Sequence, residues 1–97
     1  MTITGQMQPA QLAIGTILTY AAAAHATREV VSREIGSDRL WRYDYAALAR
    51  RVAQAANMFT LAGIGSGDRI SSLAWNTHRH LELFYAVPGL GAVLHTA

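Results

Sequence analysis

The segment from Asp44 to Gly63 constrains this chain most strongly. Tyr45, Leu48, Ala49, Val52, Ala56 and Phe59 recur at the helical period and make one apolar stripe. Arg50, Arg51, Gln54 and Asn57 line the other side. Asp44 suits the N-cap position, where a carboxylate accepts from a free amide and favours the positive end of the helix dipole. Gly63 suits the first position past the helix, where a left-handed conformation ends it. With 97 residues in all, such a helix can contribute to one modest core.

The flanking segments predict an α/β arrangement. Residues 1–11 read as an irregular arm, with Gly5, Pro9 and no period. From Thr16 to Ala26 a short amphipathic helix is expected, with Ile17, Leu18, Ala21 and Ala24 on its apolar side, Ile14 one turn earlier and Thr16 as N-cap. Glu29–Arg33 and Arg39–Tyr43 are strand-like, and Ile35-Gly36-Ser37-Asp38 supplies turn residues, so a β-hairpin is expected. Trp41 and Tyr43 should share one face of it, Leu40 and Arg42 the other.

After the long helix, Arg69 to Trp75 reads as a strand. Asn76 or Thr77 would then cap a helix burying Leu81, Phe84, Tyr85 and Leu90. Pro88 should end that helix, with Gly89 and Gly91 at its exit, before a short buried strand over Ala92–His95. Strand, helix and strand make a βαβ unit with parallel pairing and a right-handed crossover. Parallel sheets are covered on both faces and usually hold more strands, so residues 12–97 are expected to be an incomplete portion of a larger domain. The expected fold class is a partial Rossmann-like α/β subdomain with a hairpin, amphipathic helices and a βαβ unit.

Gly63, Gly65 and Gly67 invite a phosphate-loop reading. A dinucleotide fingerprint follows a strand and opens a helix. Here the order is reversed, and the nearby helix end has the wrong dipole sign for an anion. All eight basic residues are Arg, scattered except for Arg50-Arg51, so no basic stripe points to nucleic acid. Lys is absent, and with it the P-loop lysine and Schiff-base chemistry. Cys is absent, which removes disulfides and thiolate metal sites. The apolar run Leu12–Ala26 lacks the preceding positive charge of a secretory signal and is too short to span a bilayer. A cytoplasmic chain with no integral membrane segment is expected.

The residues able to carry chemistry have local structural readings. His78 and His80, two apart, point to different sides of a helix and cannot chelate together from one face, so surface or helix-cap positions are expected. Asp68 and Glu82 offer carboxylates without a ligand cluster. Ser32, Ser37, Ser66, Ser71 and Ser72 include no nucleophile elbow. Asp38, Asp44 and Asp68 fit turns and caps. Trp75 and Tyr85 should pack in the core or line a groove, a cofactor contact being the sharper alternative. No catalytic, cofactor-binding or metal-ligating residue is assigned.

Residues 43–96, YDYAALARRVAQAANMFTLAGIGSGDRISSLAWNTHRHLELFYAVPGLGAVLHT, resemble the N-terminal region of adenylate-forming (AMP-binding) enzymes, the acyl-CoA synthetase and ligase superfamily. That family typically shows a T-Y-x-E-L helix, then G-x-x-x-G-D-R-V, then a strand ending in Asn, then a helix closing on G-A-V. The counterparts here are Asp44 to Leu48, Gly63 to Ile70, Ala74-Trp75-Asn76 and Gly91-Ala92-Val93. Asp44 replaces the usual Thr as an equivalent cap, and Ala47 replaces the usual Glu and loses the reciprocal capping-box bond. The run LAWNTHRHLELFYAVPGLGAVLHT, with MQPAQL and REVVSRE earlier, looks most like the fatty-acid branch.

The resemblance implies an enzyme that activates a carboxylic acid with ATP and Mg²⁺ to an acyl-adenylate and then transfers the acyl group to coenzyme A. The family's Ser/Thr/Gly-rich phosphate loop and its catalytic lysine have no counterpart in these 97 residues. The isolated chain is therefore expected to be inactive. Its expected partner is the remainder of such a synthetase, or a second copy of itself, with fatty acid bound only by the complete protein. The alternative is a free-standing interaction module without catalysis, and a small nucleotide-binding domain is a third option.

Overall fold

A computed structural model describes residues 13–96. The element order is α1 (Ile14–Ala24), β1 (Glu29–Arg33), β2 (Leu40–Asp44), α2 (Tyr45–Leu61), β3 (Arg69–Ser72), α3 (His78–Gly89) and β4 (Val93–Thr96). The expected arm over residues 1–11 lies outside the described residues.

The hairpin forms as its alternation predicts. β1 and β2 pair antiparallel, with Val30 opposite Tyr43 and Ser32 opposite Trp41. Gly36 takes a positive φ of 78° in the turn, which glycine alone adopts without strain. β3 and β4 pair parallel, Ile70 opposite Leu94, as the βαβ pattern requires. The strands thus form two separate two-stranded sheets.

α2 begins and ends as its sequence dictates. Asp44 accepts from the Ala47 amide at 2.8 Å. At the other end Gly63 is left-handed (φ 89°), the Gly63 N–H donates to Thr60 and the Ile64 N–H to Phe59, each at 3.0 Å. This is a Schellman ending, which satisfies carbonyls the helix leaves open. α3 ends in the same way around left-handed Gly91, with Gly91 N–H donating to Pro88 and Ala92 N–H to Val87. Gly91 also packs on the Gly65-Ser66-Gly67 turn: a Cβ there would sit 3.1 Å from Ser66 Oγ, and Gly67 N–H donates to the Gly91 carbonyl.

Leu18, Leu48, Val52 and Ala86 form the buried core, with Val30, Tyr43, Phe59, Leu81 and Tyr85 packed against it. The expected stripe on α2 is thus the buried side of the helix, and it faces α1 and α3. Four expectations need correction. α1 starts at Ile14, so Thr16 lies inside it; Ala13 is the N-cap and makes no side-chain bond. α1 buries Leu18 and leaves Ile14 and Ile17 exposed, because its contact with α2 and α3 is narrow. β3 ends at Ser72 rather than Trp75, and Trp75 is 73% exposed rather than packed in the core. Phe84 is exposed, Leu90 is only half-buried and β4 is mostly uncovered, because no third layer lies on that side of the sheet among the described residues.

Candidate functional site

The polar side chains converge where α3 meets the hairpin. β2 presents Trp41 and Tyr43 on one face, the consequence of strand alternation. α3 presents His78 and Glu82, one helical turn apart, toward that face. The His78 ring stacks on Trp41, with centroids 4.5 Å apart and planes 5° apart, and meets Tyr43 edge-on at 5.8 Å. Arg51, from α2, forms a forked pair with Glu82: Nε donates to Oε2 at 2.5 Å and a terminal nitrogen donates to Oε1 at 3.1 Å. Its guanidinium carbon also lies 5.3 Å from the Trp41 ring centroid.

Burial gives these groups their electrostatic character. The Glu82 side chain is 8% exposed, while Arg51 reaches the solvent at 41%. The Arg51 guanidinium is held more firmly protonated by its hydrogen bond to Glu82. Burial pushes the Tyr43 phenol up to about 12, helped by the Glu82 carboxylate and opposed by Arg51. Among the described residues, the Tyr43 hydroxyl, the Trp41 indole N–H and both ring nitrogens of His78 have no hydrogen-bond partner. Burial lowers the His78 pKa, because its charged form has lost water.

Both histidines are buried, His78 at 4% and His80 at 6% exposure, so of the expected surface or helix-cap positions the surface one does not hold; both lie in the first turn of α3. Their opposite directions are as expected. His78 turns to the hairpin. His80 turns to β3, where Nε2 lies 3.3 Å from Ser72 Oγ and Nδ1 lies 3.3 Å from Asn76 Oδ1. With its proton on Nδ1, His80 donates to Asn76 and accepts from Ser72, which ties the end of β3 to the start of α3.

The start of α3 also departs from expectation. Thr77 occupies the N-cap position but its side chain caps nothing. The cap comes from β1: Ser32 Oγ accepts from the His78 N–H at 3.0 Å. A cleft of about 340 Å³ opens beside this helix end, lined by Ser32, Arg33, Asn76, Thr77, His78 and His80 among others.

Nothing in the local sequence marks Ser32 as a cap or Arg51 as the partner of Glu82. Their partners lie 46 and 31 residues away. The glycine turn behaves as punctuation: Asp68 Oδ2 accepts from Gly65 N–H at 2.8 Å and closes the loop on itself. Among the described residues no group of three or more His, Cys, Asp or Glu is placed to hold a metal ion. No helix of the described residues is long and apolar enough to cross a membrane.

The family profile described as AMP-binding enzyme matches residues 18–97. A medium-chain-fatty-acid–CoA ligase from Ectopseudomonas oleovorans is 41% identical over 92 residues, which cover 95% of this chain and 17% of that protein. A long-chain-fatty-acid–CoA ligase from Thermus thermophilus is 41% identical over 91 residues, covering 94% of this chain and 17% of that protein. Among solved structures, a fatty acyl CoA synthetase from Mycobacterium tuberculosis superposes with a TM-score of 0.69 at 28% identity, over 88% of this chain and 16% of that one. The chain thus spans about a sixth of the length of these relatives.

Proposed function

This chain belongs to the AMP-binding enzyme family, and from that premise we propose that it is an N-terminal portion of an ATP-dependent fatty-acid–CoA ligase. The observation that carries this reading is the 41% identity to two fatty-acid–CoA ligases along nearly the whole chain. The complete protein would adenylate a fatty acid with ATP and Mg²⁺ and then pass the acyl group to coenzyme A, in the cytoplasm. The residues of this chain do not fit the nucleotide or the metal. They include no Lys and no Ser/Thr/Gly-rich phosphate loop. No step of adenylation is assigned to them.

Their role is architectural. α3 packs against β4 at the start of a parallel sheet, and β3 and β4 offer open edges on which further strands of a longer protein can pair. The isolated chain is inactive on this reading. A chimera tests it: the matching 92 residues of the Ectopseudomonas oleovorans ligase are replaced by this chain. Acyl-CoA formation by the chimera, and none by the chain alone, is the expected result. A chimera that folds but makes no acyl-CoA, or a chain active by itself, would refute it.

A second reading follows from the exposed sheet. Val93 is 53% exposed on β4. Such an edge suits a self-associating module without catalysis. Sedimentation showing a monomer across a wide concentration range would remove that alternative.

A further inference from the structure

We propose that the free edge of β1 pairs antiparallel with β1 of a second copy of this chain, centred on Val31, and joins the two hairpins into one sheet. The interface is distinct from the β3 and β4 edges, and it does not depend on the ligase reading.

The hydrogen-bond phase of the hairpin locates the free groups. Just beyond its two ends, Tyr45 N–H donates to the Arg28 carbonyl and Glu34 N–H donates to the Arg39 carbonyl. In an antiparallel pair the main-chain groups of every second residue face the partner strand. With this phase, Val30 and Ser32 bond to β2, and the N–H and C=O groups of Glu29, Val31 and Arg33 face away from it. Among the described residues no strand pairs on that side. α3 does not close it either. The cleft of about 340 Å³ is lined by four consecutive residues, Val30 to Arg33, and by Leu81 and Phe84 of α3. Successive strand residues point to opposite faces, so a cleft that touches all four runs along the edge itself.

The sequence of β1, Glu-Val-Val-Ser-Arg, is complementary to itself. Antiparallel pairing about Val31 sets Val31 against Val31 of the second copy. It sets Glu29 against Arg33 of the second copy, twice by symmetry. These three side chains share the exposed face of β1. A register shifted by two residues sets Arg33 or Glu29 against Val31 and loses both ion pairs, so the charges fix the alignment. Within the chain, Glu29 pairs with Arg42 and Arg33 with Asp38, but both pairs lie in solvent. Exposed pairs are weak enough to rearrange around a new partner. β1 also lacks the Pro or bulge that commonly blunts an edge.

Charge exchange tests the pairing. Sedimentation of the natural chain across a wide concentration range should show a monomer–dimer equilibrium. Glu29→Arg and Arg33→Glu each set like charges against one another and should each weaken the dimer about tenfold. An equimolar mixture of the two variants restores both opposite pairs in a mixed dimer and should associate as tightly as the natural chain. Because each substitution also meets Arg42 or Asp38 within its own chain, circular dichroism checks the fold of each variant, and misfolding would not be rescued by mixing. Amide exchange gives an independent measurement. The Val31 and Arg33 amides should exchange more slowly as concentration rises, while the Val30 and Ser32 amides, already bonded to β2, should not change. A monomer at every concentration, a dimer that both variants leave intact, or a mixture no tighter than its components would overturn the proposal.

Discussion

The two longer helices start in opposite ways. α2 is capped by the residue that precedes it: Asp44 accepts from Ala47, three positions on. α3 is capped from another element: Ser32 on β1 accepts from His78, 46 positions on, while Thr77 at the local cap position makes no such bond. The first cap is present as soon as the helix turns. The second exists only when the hairpin has docked. α2 can thus begin on its own, and α3 borrows its start from tertiary structure. Both helices end alike, in Schellman motifs at Gly63 and Gly91, so the asymmetry is confined to their beginnings.

Substitutions can break this contrast. The largest effect is expected at the clamp that holds α3 to α2. Arg51→Met leaves the buried Glu82 carboxylate without its partner and should destabilise the chain by about 2–3 kcal/mol, moderated by the solvent exposure of Arg51. The double variant Arg51→Met/Glu82→Leu should recover most of that loss, because both charges are gone. Denaturant melts of the two variants read the difference. A double variant no more stable than the single one would show that the forked pair is not what Arg51 contributes.

Ser32→Ala comes next. It strands a buried amide and should cost about 1–2 kcal/mol, whereas Thr77→Ala, at the formal cap position, should change the midpoint hardly at all. If Thr77→Ala proves the more damaging, the remote cap is wrong. Asp44→Ala should cost about 1 kcal/mol, the ordinary value for a local cap. It should also reduce the helicity of a peptide spanning residues 44–63. Ser32 has no bearing on a peptide of α3, and a peptide over 77–91 should stay largely unstructured in water.

A more gradual effect sharpens the same contrast. Burial lowers the His78 pKa below its unfolded value near 6.5. Below that pH the unfolded chain binds more protons than the folded one, so stability falls as pH drops from about 6.5 toward the depressed folded value. The groups that face His78 are Glu34 after β1, Tyr43 on β2, Arg51 on α2, and Arg79 and Glu82 on α3. Urea midpoints between pH 7 and 5 should decline for the natural chain and flatten in His78→Phe. Equal slopes would place the acid sensitivity elsewhere.

Much of the fold can be read directly from the residues. The apolar stripe from Tyr45 to Phe59, the alternation that puts Trp41 and Tyr43 on one face, and the strand–helix–strand order with parallel pairing all appear as expected, the last strand running one residue later than the expected Ala92–His95. The site is different. His78 and His80, two apart and without a ligand cluster, read as surface or helix-cap residues. Here one ring slides under Trp41 and the other under the end of β3. Trp75 failed in the opposite direction. An aromatic following a strand pattern reads as core, but β3 stops at Ser72 and the loop carries the indole outward.

The amino-acid sequence by itself determined the elements whose signals are local. A 3.6-residue apolar period, a period of two, an Asp before a helix and a Gly after it each act through neighbours within one or two turns. Only the tertiary structure decided which side chains meet across elements: Ser32 with the start of α3, Arg51 with Glu82, His78 with Trp41. Those contacts depend on the angle and depth at which the hairpin and helices dock. Docking is set by the summed packing of Leu18, Leu48, Val52 and Ala86 from the helices with Val30 and Tyr43 from the hairpin.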